Sequence, residues 1–212
     1  MKFKRLNSDY KRLENELNSN LNLFFNIVNN RKLGSLTKKQ KNMIIELSFL
    51  KVYRTWESFL HETMTDILLY KQRNVKVSRI EVRDREHIEE LISLGWSYPK
   101  FDIKNVTKME HLFLKVNIYR DAMSSRSGDL DNMKRMRDMA AHEGNYDSAI
   151  EFYNDVVNRT ASHLVLNKAD IKMLPGSLLK SKDRTRTTYY FQRYMEVIRD
   201  IAKEVVEKFN SI

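Results

Sequence analysis

The amino-acid sequence predicts an all-α protein, and three observations carry that expectation. Only five Gly and two Pro occur in 212 residues, and a chain so poor in turn residues spends most of its length in long helices. Apolar residues recur at helical spacing near both ends of the chain. The one weakly alternating stretch, residues 74–82 (NVKVSRIEV), is too isolated to build a sheet. With 42% apolar residues the chain can bury a core, and its mixed charge sets it apart from disordered sequences.

The elements follow in order. Ser8 is a candidate cap for a first helix reaching about Asn29, with Leu13, Leu17, Leu21, Phe24, Phe25 and Val28 along one side. Gly34 breaks it. A second helix is expected from about Thr37 to Arg73, with an apolar stripe wide enough for a central position. Residues 83–94 predict a short helix ending at Gly95, and residues 96–103, with Pro99, a loop. Another helix is expected from Asn105 or Thr107 through Leu112 and Leu114 to about Tyr119. After a break over residues 124–128, Asp129 or Asp131 starts a helix through Met133, Met136, Met139 and Ala140 that stops at Gly144. A further helix is expected from Asp147 or Ser148 to about Val157, then a turn at Pro175-Gly176, then a last helix over about 186–209.

The chain reads as one helical domain over 1–212. Residues 1–36 hold the N-terminal helix, 37–160 the core and 161–212 an appended C-terminal helix. Cysteine is absent, which excludes a disulfide framework, a thiol nucleophile and thiolate metal ligands. The first residues lack the apolar segment of a secretory signal. No apolar run approaches the roughly 18 residues needed to span a bilayer. A cytoplasmic protein with no membrane partner is expected. The net charge of +10 favours a polyanionic partner, nucleic acid being the usual one.

There is no glycine-rich phosphate loop, no HExxH pair and no carboxylate–histidine set at metal-ligand spacing, so neither cofactor nor metal is expected. Five histidines are scattered along the chain, and only His142 has neighbours that suggest chemistry. Asp138 lies four residues before it, on the same helix face, where a carboxylate can orient an imidazole and raise its pKa. Arg135, seven back, lies nearly over it. Arg137 is displaced by about 140° around the helix at about 100° per residue. Ala140 and Ala141 keep the helix surface low, so another backbone or a phosphate can approach. The plainer alternative makes Arg137 and Asp138 surface ion pairs worth about 0–1 kcal/mol, with His142 decorating a helix end.

The run Arg137-Asp138-Met139-Ala140-Ala141-His142 resembles the signature of the HEPN superfamily, an Arg followed by a polar residue and, after four to six residues, a His on the same helix. The spacing alone also fits Arg135–His142 and Arg54–His61; the polar residue, the paired alanines and the helix end distinguish the first match. The segment Trp56-Glu57-Ser58-Phe59-Leu60 is similar to the long early helix of HEPN proteins related to the RiboL-PSP group. The likeness spans about residues 40–160.

It implies a HEPN-like helical bundle, dimeric, in which two motifs face each other and form a metal-independent ribonuclease site. Arg137, Asp138 and His142 would then be catalytic, with Arg135 and Glu57 in support. The ribose 2′-hydroxyl would attack the neighbouring phosphorus, with His142 as base, Arg137 on the phosphoryl oxygens and the partner's His142 as acid. A role as toxin or phage-defence effector follows from the resemblance, as does an inhibitor protein. Gly144 stands where many such toxins carry a Tyr for a nucleotidyltransferase partner, so that partner is not expected. A catalytically silent RNA-binding or adaptor protein is the alternative.

Residues 178–194 interleave Lys180, Lys182, Arg184, Arg186 and Arg193 with Tyr189, Tyr190, Phe191 and Tyr194. Basic groups with aromatics suit single-stranded RNA, and Lys180, Lys182, Arg184, Arg186 and Tyr189 are the candidate contacts. The alternative packs the aromatics into the core and leaves the basic residues as a solvated turn.

Overall fold

The protein is described from a computed structural model, over residues 4–29, 35–70, 75–94, 103–141, 174–182 and 188–212. It is all-α, as the sequence predicts. Eight helices run through the described residues: α1 (Lys4–Val28), α2 (Lys38–Leu69), α3 (Arg85–Leu94), α4 (Ile103–Phe113), α5 (Ile118–Ser124), α6 (Ser127–Ala141), α7 (Leu174–Leu179) and α8 (Tyr190–Ser211). No helix among the described residues is long and apolar enough to cross a membrane. The chain divides into two compact units, Met1–Glu16 with Arg54–Ser127 and Ile198–Ile212, and Leu17–Tyr53 with Gly128–Val197.

In the first unit α1 begins at Lys4 and passes straight through Ser8. Leu6 is fully buried and extends the apolar row by a turn, while Arg5 reaches the mostly buried Asp66 at 3.6 Å. Trp56 and Phe59 of α2 stack at 5.7 Å, and Tyr119 of α5 packs on Phe209 of α8 at 5.6 Å. The phenol of Tyr119 meets the Thr63 hydroxyl at 2.8 Å, and complete burial pushes its pKa up.

The helix expected to continue to Tyr119 instead stops at Phe113. Leu114 pairs with Ser78 in an isolated antiparallel bridge, with Arg79 and Lys115 donating their N–H groups to Phe113 (2.7 Å) and Val77 (2.6 Å). Residues 75–77, read from sequence as an extended piece, form one helical turn before that bridge. Glu110 explains the break. Asn117, at the start of α5, makes no side-chain cap, and the Glu110 carboxylate accepts the N–H groups of Tyr119 (2.7 Å) and Arg120 (2.8 Å) in its place. A carboxylate at a helix N-terminus satisfies donors that the helix itself cannot. At 1% exposure the desolvation outweighs those hydrogen bonds, and the Glu110 pKa is pushed up to about 7.

In the second unit, Phe24 of α1 stacks on Phe191 of α8 at 4.6 Å and 3°. Phe49 of α2 meets Phe191 at 6.5 Å and Tyr194 at 6.0 Å. From α6, Leu130, Met133 and Met136 are buried, and Asp129 in its first turn holds Arg193 of α8 at 2.7 Å. Thr37 and Gln40 form a reciprocal capping box at the start of α2 (Gln40 N–H to Thr37 Oγ1 3.2 Å, Thr37 N–H to Gln40 Oε1 2.8 Å).

Pro175-Gly176, expected as a turn, lies in the first turn of α7, where a proline's missing N–H costs nothing. Gly176 donates its N–H to Glu46 Oε1 at 2.8 Å, and Asn42 Nδ2 donates to Ser177 Oγ at 3.0 Å. A Cβ at Gly176 would collide with the Asn42 carbonyl oxygen and lie 2.8 Å from its Cα. Only glycine lets α7 sit this close to α2.

Two outcomes are expected. Gly176→Ala lowers stability by about 1–3 kcal/mol through this overlap, and Gly176→Val lowers it further, as read by urea denaturation. Glu110 binds its proton more tightly in the folded chain than in the unfolded one, whose carboxyl titrates at the ordinary glutamate value of about 4.5. Stability relative to Glu110→Gln therefore falls as pH rises from about 4.5 to about 7, by on the order of 3 kcal/mol. Parallel thermal melts of the two proteins across that range check the slope.

Candidate functional site

Three of the sequence-predicted residues, Arg135, Arg137 and Asp138, lie in the last two turns of α6. Met136 and Met139 turn into the core of the second unit, which leaves Arg135 exposed and Arg137 and Asp138 half-buried. Ala140 is half-buried and Ala141 exposed, so the surface beyond them is low. His142 lies outside the described residues, as do Arg184 and Arg186. Glu57 is half-buried on α2 and belongs to the first unit.

The Arg137 guanidinium is fixed by two contacts. Its Nη1 donates to Asp138 Oδ1 at 2.6 Å, and its carbon lies 5.5 Å from the ring centroid of Tyr53. A planar guanidinium over an aromatic face is held by the ring quadrupole as well as by packing. Tyr53 is 5% exposed and rests against Phe49 at 6.2 Å, so the platform under Arg137 is itself part of the core. The side chain remains 23% exposed, so the charge is preorganised and still reaches solvent. Tyr53 was legible from sequence only as an apolar position of α2.

The alternative match, Arg54–His61, lies wholly in α2. Arg54 is exposed, and His61 is half-buried, with burial lowering its pKa. Among the described residues no group of three His, Asp or Glu side chains is placed to hold a metal ion.

The basic–aromatic segment divides. Phe191 and Tyr194 are buried at 0% and 1% exposure and belong to the core. Tyr189 is half-buried, with Phe24 against it at 5.3 Å and Lys182 Nζ 5.4 Å from its ring centroid. Lys180, just beyond α7, is half-buried. Burial lowers its pKa, and the nearby charges of Lys38 and Lys41 lower it further. Those two lysines, in the first turn of α2, were not singled out from the sequence. The run Lys38-Lys39-Gln40-Lys41 is visible there, but its proximity to Lys180 depends on α7 folding back onto α2.

Fold and site together define an all-α protein with an aromatic-supported arginine on α6 and a lysine cluster where α2 begins. The chain matches no family model, no curated protein and no solved structure.

The coupling between Arg137 and Tyr53 is measurable. A double-mutant cycle of Arg137→Ala and Tyr53→Leu is expected to give about 0.5–2 kcal/mol in urea denaturation. Arg137→Ala alone leaves a folded protein.

Proposed function

We propose that the protein is a HEPN-type, metal-independent endoribonuclease acting as a homodimer, with Arg137, Asp138 and His142 of each chain in a shared groove. One observation supports this reading above the others: the Arg137 guanidinium is braced by Tyr53 and Asp138 on α6, five residues before His142. Such bracing is what a phosphate-binding arginine needs, because the fork is oriented before substrate arrives. Stabilising the charge that grows on phosphoryl oxygens requires donors that do not reorganise during the reaction.

RNA carries its own nucleophile. With His142 taking the 2′-hydroxyl proton, the new O2′–P bond forms as the P–O5′ bond breaks. A second histidine protonates the departing 5′-oxygen. Cleavage leaves a 2′,3′-cyclic phosphate and a 5′-hydroxyl. The resemblance puts Arg137 and His142 on one helix, where five positions separate side chains by about 140°, so two chains around a two-fold axis would supply the set more readily than one. The exposed Ala141 suits a close approach by a second copy. A toxin or defence role, with an inhibitor protein, belongs to the same proposal, as does a cytoplasmic location.

The 2.6 Å pairing of Arg137 with Asp138 also favours a second reading. An arginine whose charge is already balanced can serve a catalytically silent RNA-binding protein, with the lysine cluster as its contact surface.

Incubating purified protein with RNA in EDTA separates the two. The enzyme reading expects cyclic-phosphate products, with His142→Ala slowing cleavage by about 10²–10⁴-fold while circular dichroism stays unchanged. Cleavage that requires added Mg²⁺, or that survives in His142→Ala, rejects the proposed chemistry. RNA binding without cleavage selects the silent reading.

A further inference from the structure

The start of α2 is basic. No acidic residue occurs in its first turn, where a helix ordinarily favours carboxylates because its dipole is positive there. Lys38, Lys39 and Lys41 occupy that turn instead, and the Thr37–Gln40 box completes the cap without adding negative charge. Folding then adds to the excess. The glycine-permitted contact of Gly176 with Asn42 brings the end of α7 against the same turn, and with it Lys180, whose charge is felt together with those of Lys38 and Lys41.

No carboxylate among the described residues forms an ion pair with Lys180. Within this contact the Glu46 carboxylate accepts the Gly176 N–H at 2.8 Å, and burial raises its pKa. Two residues on, Lys182 is exposed and extends the positive edge, steered by the Tyr189 ring that Phe24 and Phe25 brace at 5.3 and 6.4 Å. Like charges collected from two separate elements disfavour the unliganded state. They are repaid when a polyanion threads past them.

We infer that Lys38, Lys41, Lys180 and Lys182 form a phosphate-backbone track that binds single-stranded RNA independently of the α6 motif. The inference rests on the RNA reading proposed above but not on its catalytic step. RNA is favoured over an anionic membrane by the placement of the exposed apolar residues. Met43 and Leu47 are 57% and 55% exposed, yet they lie about 120–180° around α2 from Lys38 and Lys41 at 100° per residue. Among the described residues the α2 lysines therefore share their helix face with no exposed large apolar side chain that could enter a bilayer, whereas phosphates spaced along a strand need only the charges.

The probe is a fluorescein-labelled single-stranded 2′-O-methyl RNA 20-mer, which lacks the attacking hydroxyl and cannot be cleaved by the proposed route. Binding is read by anisotropy between 50 and 300 mM salt. The variant Lys38→Glu/Lys41→Glu/Lys180→Glu is compared with Lys4→Glu/Lys11→Glu/Lys76→Glu, which changes net charge equally at exposed lysines of the other unit.

Three phosphate contacts on a single strand contribute a salt slope of about 2, equivalent to about 100-fold in affinity near 0.1 M. The track variant is expected to lose that much, with the slope shallower by about 2, while the control loses less than about threefold. The Gln versions of the three track lysines carry the same test if charge reversal perturbs folding. Equal losses in both triple variants, or none in the track variant, overturn the inference. So does a wild-type protein that binds phosphatidylserine vesicles and not the oligonucleotide. A protein that binds the probe through the track and cleaves no RNA retains this inference and loses the enzymatic one.

Discussion

The face-to-face stack of Phe24 on Phe191 is the contact from which both candidate features of the second unit hang. It joins α1 to α8 at 4.6 Å with the rings nearly parallel, and large buried aromatics of this kind contribute beyond their area. On one side Phe191 meets Phe49, Phe49 meets Tyr53, and Tyr53 carries the Arg137 guanidinium. On the other, Phe24 braces Tyr189, whose ring steers Lys182. A guanidinium on α6 and an ammonium in the bridge beyond α7 thus take their positions from one apolar column. Truncating Phe24 would be expected to disturb both, although neither charged group touches it.

The helices were largely legible because their determinants are local. Apolar spacing located α1, α2, α6 and α8 to within a few residues, and the shortage of Gly and Pro left little room for anything else. The misplaced boundaries have one common cause: they are set by burial and by side-chain contacts rather than by local turn residues. Ser8 looks like a cap but is carried inside α1 by burial of Leu6. The break between α4 and α5 contains no Gly or Pro, and it exists because Glu110 reaches forward to Tyr119 and Arg120. A clue was present, since Glu110 falls on the apolar side with Val106 and Met109, where an unpartnered carboxylate would be prohibitively costly. Pro175-Gly176 carries the composition of a turn, yet the glycine is spent on a close approach to Asn42 rather than on a change of chain direction.

Of the candidate site, residue types were readable and supports were not. Arg137 and Asp138 could be picked out by spacing, but their mutual contact and the ring beneath them involve side-chain geometry and a helix more than 80 positions away. The aromatics of residues 189–194 posed the opposite difficulty. Composition suggested a stacking surface, and burial assigns Phe191 and Tyr194 to the core, leaving Tyr189 and Tyr190 half-exposed. Lys38 and Lys41 were not singled out from sequence, because nothing local indicates that Lys180 joins them.

These two kinds of positive charge suit different tasks. The Arg137 charge is balanced by Asp138 and rigidly oriented by Tyr53, an arrangement that gains little long-range attraction but loses little entropy when a phosphate replaces or joins the carboxylate. The lysine cluster is the reverse: its charges share one sign and are held on pliable, strongly hydrated stems, so it attracts at a distance and specifies little. On the proposed reading, a protein that captures a strand and then acts at one phosphate uses both, and uses them apart, since a cluster of cations at the reacting phosphate would hold substrate and product equally. With the lysines on the α2–α7 contact and the oriented guanidinium on α6, one aromatic core would serve both.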